Sequence, residues 1–218
     1  MRLFRRREER MRALRPVVAL SVALLVSTAR AGTFEARPGA GDRIVVHAYK
    51  KGAFAAFAHD HHFEVTKWHA TADLPDGEPA QASVDVVLSA GSLRDGQERL
   101  SQSDRRKVEA QTAGPDVLDA QHHPEIEFRS ERFEADRGGT PGHVRGTLHG
   151  TLTLRGRAAP ADVAIEADRD GNAWRVRGKA RVKQTAFGIK PYSGFGGTVG
   201  VKDDLEIEIA LTLRARGG

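Results

Sequence analysis

Strict alternation of apolar and polar residues constrains this chain more than any other feature. In LEIEIALTL, Leu205, Ile207, Ile209, Leu211 and Leu213 share one face, while Glu206, Glu208 and Thr212 take the other. AWRVRGKARVK sets Trp174, Val176, Gly178, Ala180 and Val182 against Arg175, Arg177, Lys179, Arg181 and Lys183. HVRGTLHGTLTL does the same with Val144, Gly146, Leu148, Gly150, Leu152 and Leu154. A period of two is the signature of a strand with one dry and one wet face. Shorter candidates lie at 43–49, 61–70, 82–89, 125–134 and 161–168, giving about eight strands of the half-wet kind that builds antiparallel sheets. Turn chemistry separates them at Pro75-Asp76-Gly77, Gly138-Gly139 and Asp170-Gly171-Asn172. One segment departs from the pattern: Ser101-Gln102-Ser103-Asp104 reads as a helix cap, RRKVEAQT favours helix, and Ala113-Gly114-Pro115 stops it. GAFAAFA, residues 52–58, suggests a second short helical turn.

The N-terminal stretch MRLFRRREERMRALR holds seven arginines against Glu8 and Glu9, and the apolar run VVALSVALLV and the triplet Ala29-Arg30-Ala31 follow. This order is that of a cleaved secretory signal peptide over residues 1–31, with an uncleaved amphipathic anchor as the competing reading. The apolar run is shorter than the roughly 20 residues that span a bilayer. The whole chain carries a net charge of +5, but residues 1–31 contain 8 of its 34 basic and 2 of its 29 acidic side chains. The remainder has 26 basic and 27 acidic residues, a net of −1. That removes the clustered basic surface a nucleic-acid partner requires. With no cysteine, there is neither a disulfide framework nor a lipidation site after the leader. Residues 32–218 are expected to be one domain held by its core alone and exported to the periplasm, with no transmembrane anchor after cleavage.

Closing eight strands on themselves makes a barrel whose interior is packed or holds one small ligand. Gly146, Gly150, Gly178 and Ala180 on the inner face mark either bends or room for a ligand. The aromatic and aliphatic residues expected to line such a pocket are Phe54, Phe57, Phe63, Val65, Ile126, Phe128, Leu148, Trp174, Val176, Phe187 and Phe195. The cluster His59-Asp60-His61-His62 stands beside them. Odd positions of a strand at 61–70 put His61 on the side of Phe63 and Val65, joined by His59 if the strand begins early, and His62 and Glu64 outside. Three roles compete for the cluster. His59 and His61 provide polar contacts for the headgroup of an apolar ligand; or the cluster binds a metal, which needs further converging ligands; or the histidines simply pair locally with carboxylates. No nucleophile elbow such as G-x-S-x-G occurs and thiol chemistry is excluded, so no catalytic residue and no cofactor is assigned. His122 and His123 are expected to cap the loop before Pro124, and His143 and His149 to face water. Trp68 is expected to anchor the wall, and the stretch from Tyr192 to Gly197 to form a flap over one barrel end.

Four motifs, in this order, resemble the YceI-like polyisoprenoid-binding proteins. They are Val117-Leu118-Asp119-Ala120, then Pro124-Glu125-Ile126-Glu127-Phe128-Arg129-Ser130, then Gly150-Thr151-Leu152-Thr153-Leu154-Arg155-Gly156, and Phe187-Gly188-Ile189. The likeness runs from about residue 42 to 213, and the FAHDH stretch after IVVHAYKKG resembles a variant branch of the family. Arg157-Ala158-Ala159-Pro160 replaces the usual threonine-rich turn, Thr185-Ala186 the usual polar pair, and His122-His123 less basic residues. The resemblance implies an all-β, single eight-stranded antiparallel lipocalin-like barrel with a small helical insertion. It also implies a periplasmic carrier of an isoprenoid-type or other amphiphilic long-chain lipid. The metal-binding use of His59-Asp60-His61-His62 is the alternative, and a homodimer stays open.

Overall fold

Each alternating segment of the sequence is a strand in the computed structural model, which describes residues 32–53, 59–75, 81–138 and 140–216. The expectations for the leader and for Phe54 and Phe57 lie outside the described residues, as do most of the helical turn expected at 52–58 and parts of the turns expected at Pro75-Asp76-Gly77 and Gly138-Gly139. In chain order the strands are β1 (Gly32–Ala36), β2 (Arg43–Lys51), β3 (His61–Val65), β4 (Trp68–Leu74), β5 (Ser83–Ser89), β6 (Leu93–Asp95), β7 (Glu125–Ala135), β8 (His143–Leu154), β9 (Arg157–Asp170), β10 (Ala173–Lys183), β11 (Ser193–Gly194) and β12 (Val199–Ala215). The helix α1 (Gln102–Ala113) interrupts them.

The antiparallel ladder runs β1-β4-β5-β7-β8-β9-β10-β12 and returns to β1, a closed ring of eight strands. β12 completes the ring by pairing β10 on one side and, on the other, first β2 and then β1. β2 and β3 extend the seam that β1 and β4 begin, so β1 and β2 act as one interrupted strand, and β3 and β4 as another. The single strand expected at 61–70 is therefore broken at Thr66-Lys67, where the Thr66 and Lys67 amides turn to Ser92. Where β1 gives way to β2, the β12 amide of Thr212 would lose its ladder partner. The buried carboxylate of Asp42 accepts that N–H at 2.6 Å. A buried backbone donor left alone costs about as much as a lost hydrogen bond, which explains an aspartate in this seam.

Helix α1 begins where its cap predicts. Ser101 Oγ accepts the Asp104 N–H at 3.1 Å and donates to Asp104 Oδ2 at 2.7 Å. None of its residues is buried. It lies against β6 and is tied there by Glu109, whose Oε1 accepts the Asp95 N–H at 3.0 Å. The wet face of the barrel is laced with cross-strand ion pairs, among them Arg145–Glu166, Arg177–Asp168 and Arg181–Glu206. The dry face encloses the core.

Candidate ligand-binding cavity

The core is not filled. A cavity of about 1120 Å³ runs through the barrel, at or above the upper end of the roughly 300–1,000 Å³ common for ligand pockets. Its wall is made by the inward positions of the alternating strands: Val46, Phe63, Val65, Ala70, Ala72, Val84, Val86, Ile126, Phe128, Leu148, Leu152, Val163, Val176, Ala180, Ile207 and Ile209 among them. Period two makes this surface mostly aliphatic and aromatic, because most polar alternates of the strands are turned to water.

Strand register orders the two ends. At one end His61, Ala48, Leu205 and Val182 lie on one level across β3, β2, β12 and β10. The α1 residues Val108, Gln111 and Thr112 also line the cavity, as do Gln184, Lys190 and Tyr192. At the other end stand Phe34, Leu74, Trp174 and Leu213, with the Arg169 guanidinium 5.9 Å from the Trp174 ring. Cation–π packing of this kind fixes an arginine over an aromatic face.

Of the residues anticipated from sequence, His61, Phe63, Val65, Ile126, Phe128, Leu148, Trp174 and Val176 line the cavity. Phe187 is 1% exposed, packed in the core and not part of the lining. His59 is exposed and is not part of the wall either. The side chain of Phe195 is outside the described residues. The segment that carries it folds back as β11, pairing Ser193 with Gly200 of β12. Trp68 is buried, as a wall anchor should be.

The histidine cluster is divided by the pleat. His61 turns to the cavity and His62 to the other side, where its ring lies against Gly96. Among the described residues no group of three or more His, Asp or Glu is gathered as a metal site would require. His61 instead meets a residue that alternation did not single out. Its Nδ1 is 2.7 Å from Oδ2 of Asp95, whose side chain has no exposed surface. Asp95 belongs to the three-residue strand β6, too short to show a period. Four of the eight other histidines also take carboxylate partners: His47, His122, His143 and His149. His143 bonds Asp168 and His149 bonds Asp162, each at 2.7 Å. His122 is exposed and bonds Asp119, while His123 packs its ring against Gly156.

Several carboxyls with displaced protonation lie on the wet face. The hydrogen bond from His143 holds the Asp168 carboxyl below its ordinary range, and those from Arg181 and Tyr49 do the same for Glu206. Burial pushes the Tyr49 phenol up, and its bond to Glu206 adds to the effect.

A closed antiparallel barrel enclosing one large apolar cavity defines a lipocalin-like binding fold. The chain belongs to the YceI-like domain family, whose model matches residues 46–213. Its fold is shared with the crystal structure of Burkholderia cenocepacia BcnA, at 20% identity and a TM-score of 0.59, covering 78% of this chain and 95% of that one. A polyisoprenoid binding domain from Saccharophagus degradans, implicated in plant cell wall breakdown, is similar at 10% identity and a TM-score of 0.58. That match covers 84% of this chain and 98% of that one. No curated protein matches the chain.

Proposed function

We propose that the protein is a periplasmic carrier that holds an isoprenoid-type or similar long-chain lipid inside the barrel, without a catalytic step. The observation that carries this reading is the cavity of about 1120 Å³ with its apolar wall. Each methylene transferred from water into such a wall gains about 0.8 kcal/mol before ordering costs. A long tail is therefore retained without specific contacts along its length, and specificity is left to the few polar groups at the ends. The Saccharophagus domain, described as polyisoprenoid binding, supports the same class of ligand. The leader-like order of residues 1–31 supports export, and no helix among the described residues is long and apolar enough to cross a membrane.

Ala180 offers a direct test, since its methyl group faces the cavity midway along β10. An Ala180→Trp variant places an indole where the tail would lie. Titration with a fluorescent prenyl chain is expected to show at least a tenfold loss of affinity, with far-ultraviolet circular dichroism unchanged. Undiminished affinity in a folded variant would move the ligand out of the barrel and defeat the proposal.

A further inference from the structure

We infer that Asp95 is a positioning residue that fixes the Nδ1–H tautomer of His61, so that Nε2 meets the cavity as a hydrogen-bond acceptor and selects a lipid with a hydroxyl-bearing head. The inference rests on the carrier reading and adds the chemistry of the head to it. Asp95 is the buried carboxylate of this end of the barrel, with 0% of its side chain exposed. A buried carboxylate is kept only where hydrogen bonds replace its water. Its two oxygens have one such partner each: Oδ1 accepts the Gln97 N–H at 3.0 Å, and Oδ2 lies 2.7 Å from His61 Nδ1. A carboxylate can only accept, so the proton of that contact sits on Nδ1.

The ring has little freedom to do otherwise. It stacks on Phe63 with centroids 5.8 Å apart. The backbone that carries Asp95 is tied to α1 through the Asp95 N–H and Glu109. A neutral imidazole protonated on Nδ1 presents an unprotonated Nε2. No protein group among the described residues bonds that nitrogen. The side chain keeps 19% of its surface accessible and borders the cavity. An acceptor facing an apolar cavity is matched by an O–H, as in a prenyl alcohol or a quinol. It is mismatched by an ether or a ketone, whose oxygens also accept. The recognised class is thus a long-chain lipid ending in a hydroxyl donor.

The test uses the protein with two probes, farnesol and its methyl ether, in mildly alkaline buffer. Long-range ¹H–¹⁵N correlation spectra report the His61 tautomer directly. The expected results are Nδ1–H in the wild type and farnesol bound about three- to tenfold more tightly than the ether, the worth of one hydrogen bond. In Asp95→Asn the amide can donate to Nδ1, and the preference for the alcohol is expected to vanish or reverse. His61→Phe should equalise the probes, since it removes the one acceptor that tells them apart. Equal binding of both probes by the wild type, or an Nε2–H tautomer, would overturn the inference and leave the carrier reading standing. Failure of both probes to bind would overturn the carrier reading and this inference with it. The wild-type spectrum and probe ratio decide the matter even if Asp95→Asn folds poorly.

Discussion

A Cβ at Gly146 would stand 2.2 Å from the carbonyl oxygen of Glu134 and 2.7 Å from Cζ of Phe133. At Gly150 the carbonyl of Arg129 and the ring of Phe128 are met in the same way, at 2.2 and 2.9 Å. These glycines make room for neighbouring phenylalanine rings of the barrel wall, and that use was not among the sequence expectations. Alternation places Gly146 on the inner face, but a ring arriving diagonally from the next strand depends on register, which alternation does not encode. Gly146→Ala is expected to cost about 1–3 kcal/mol through overpacking, read as a lower urea midpoint at unchanged slope. A second residue-scale consequence concerns pH. Thr185 donates through Oγ1 and N–H to Asp203 at 2.6 and 2.9 Å, and the hydroxyl bond holds the Asp203 carboxyl below its ordinary range. A depressed carboxyl adds stability above its unfolded value of about 3.9, and the contribution fades as pH falls through the lower folded value. Thr185→Val should therefore be less stable than wild type at neutral pH, with the difference shrinking as acid protonates Asp203. Urea titrations of both proteins across that range would show it. His59 and His61 mark the same limit of sequence reading: their spacing allows a shared face, yet only His61 lies inside β3 and reaches the cavity.

Among the elements, α1 and the long strands were legible because each carries a local signal: a cap for the helix, a sustained period for β8, β10 and β12. β1 and β6 were not anticipated, since five and three residues hold too little pattern, and tertiary closure rather than propensity makes them strands. The break between β3 and β4 was hidden for a similar reason, because Ser92 creates it from a distant segment. α1 has no buried residue and leans on its cap and on Glu109. Ser101→Ala is expected to remove about 1 kcal/mol of local stability. Amide exchange should then quicken over 102–113 while β8 to β10 exchange as before. β1 does the opposite duty at the seam, pairing both β4 and β12. A chain beginning at Arg37 would expose two strand edges, and edge-to-edge association in size-exclusion chromatography is the expected result. A monomer with unchanged stability would show that β1 is dispensable for closure.

For the whole molecule, the all-β class, the count of eight strands and the helical insertion followed from period and turn chemistry, and the family from four short motifs in order. The hollow interior was the harder point. Inward glycines left bends and ligand space equally open, and the cavity is instead set by how far the closed ring holds its aliphatic walls apart. Aligned strands alone do not determine that distance; closure and shear do. The distribution of polarity follows from the same geometry, with ion pairs on the wet face, an apolar wall within, and the His61–Asp95 pair at the end that α1 borders. A barrel so arranged should be recovered with its cargo. Native mass spectrometry of protein purified from its native host, paired with organic extraction and metal analysis of the same sample, tests this most directly. The account predicts one long-chain prenyl-type lipid per chain, released on extraction and carrying a hydroxyl head. Repeated recovery of an empty chain, or stoichiometric metal in place of lipid, would contradict it.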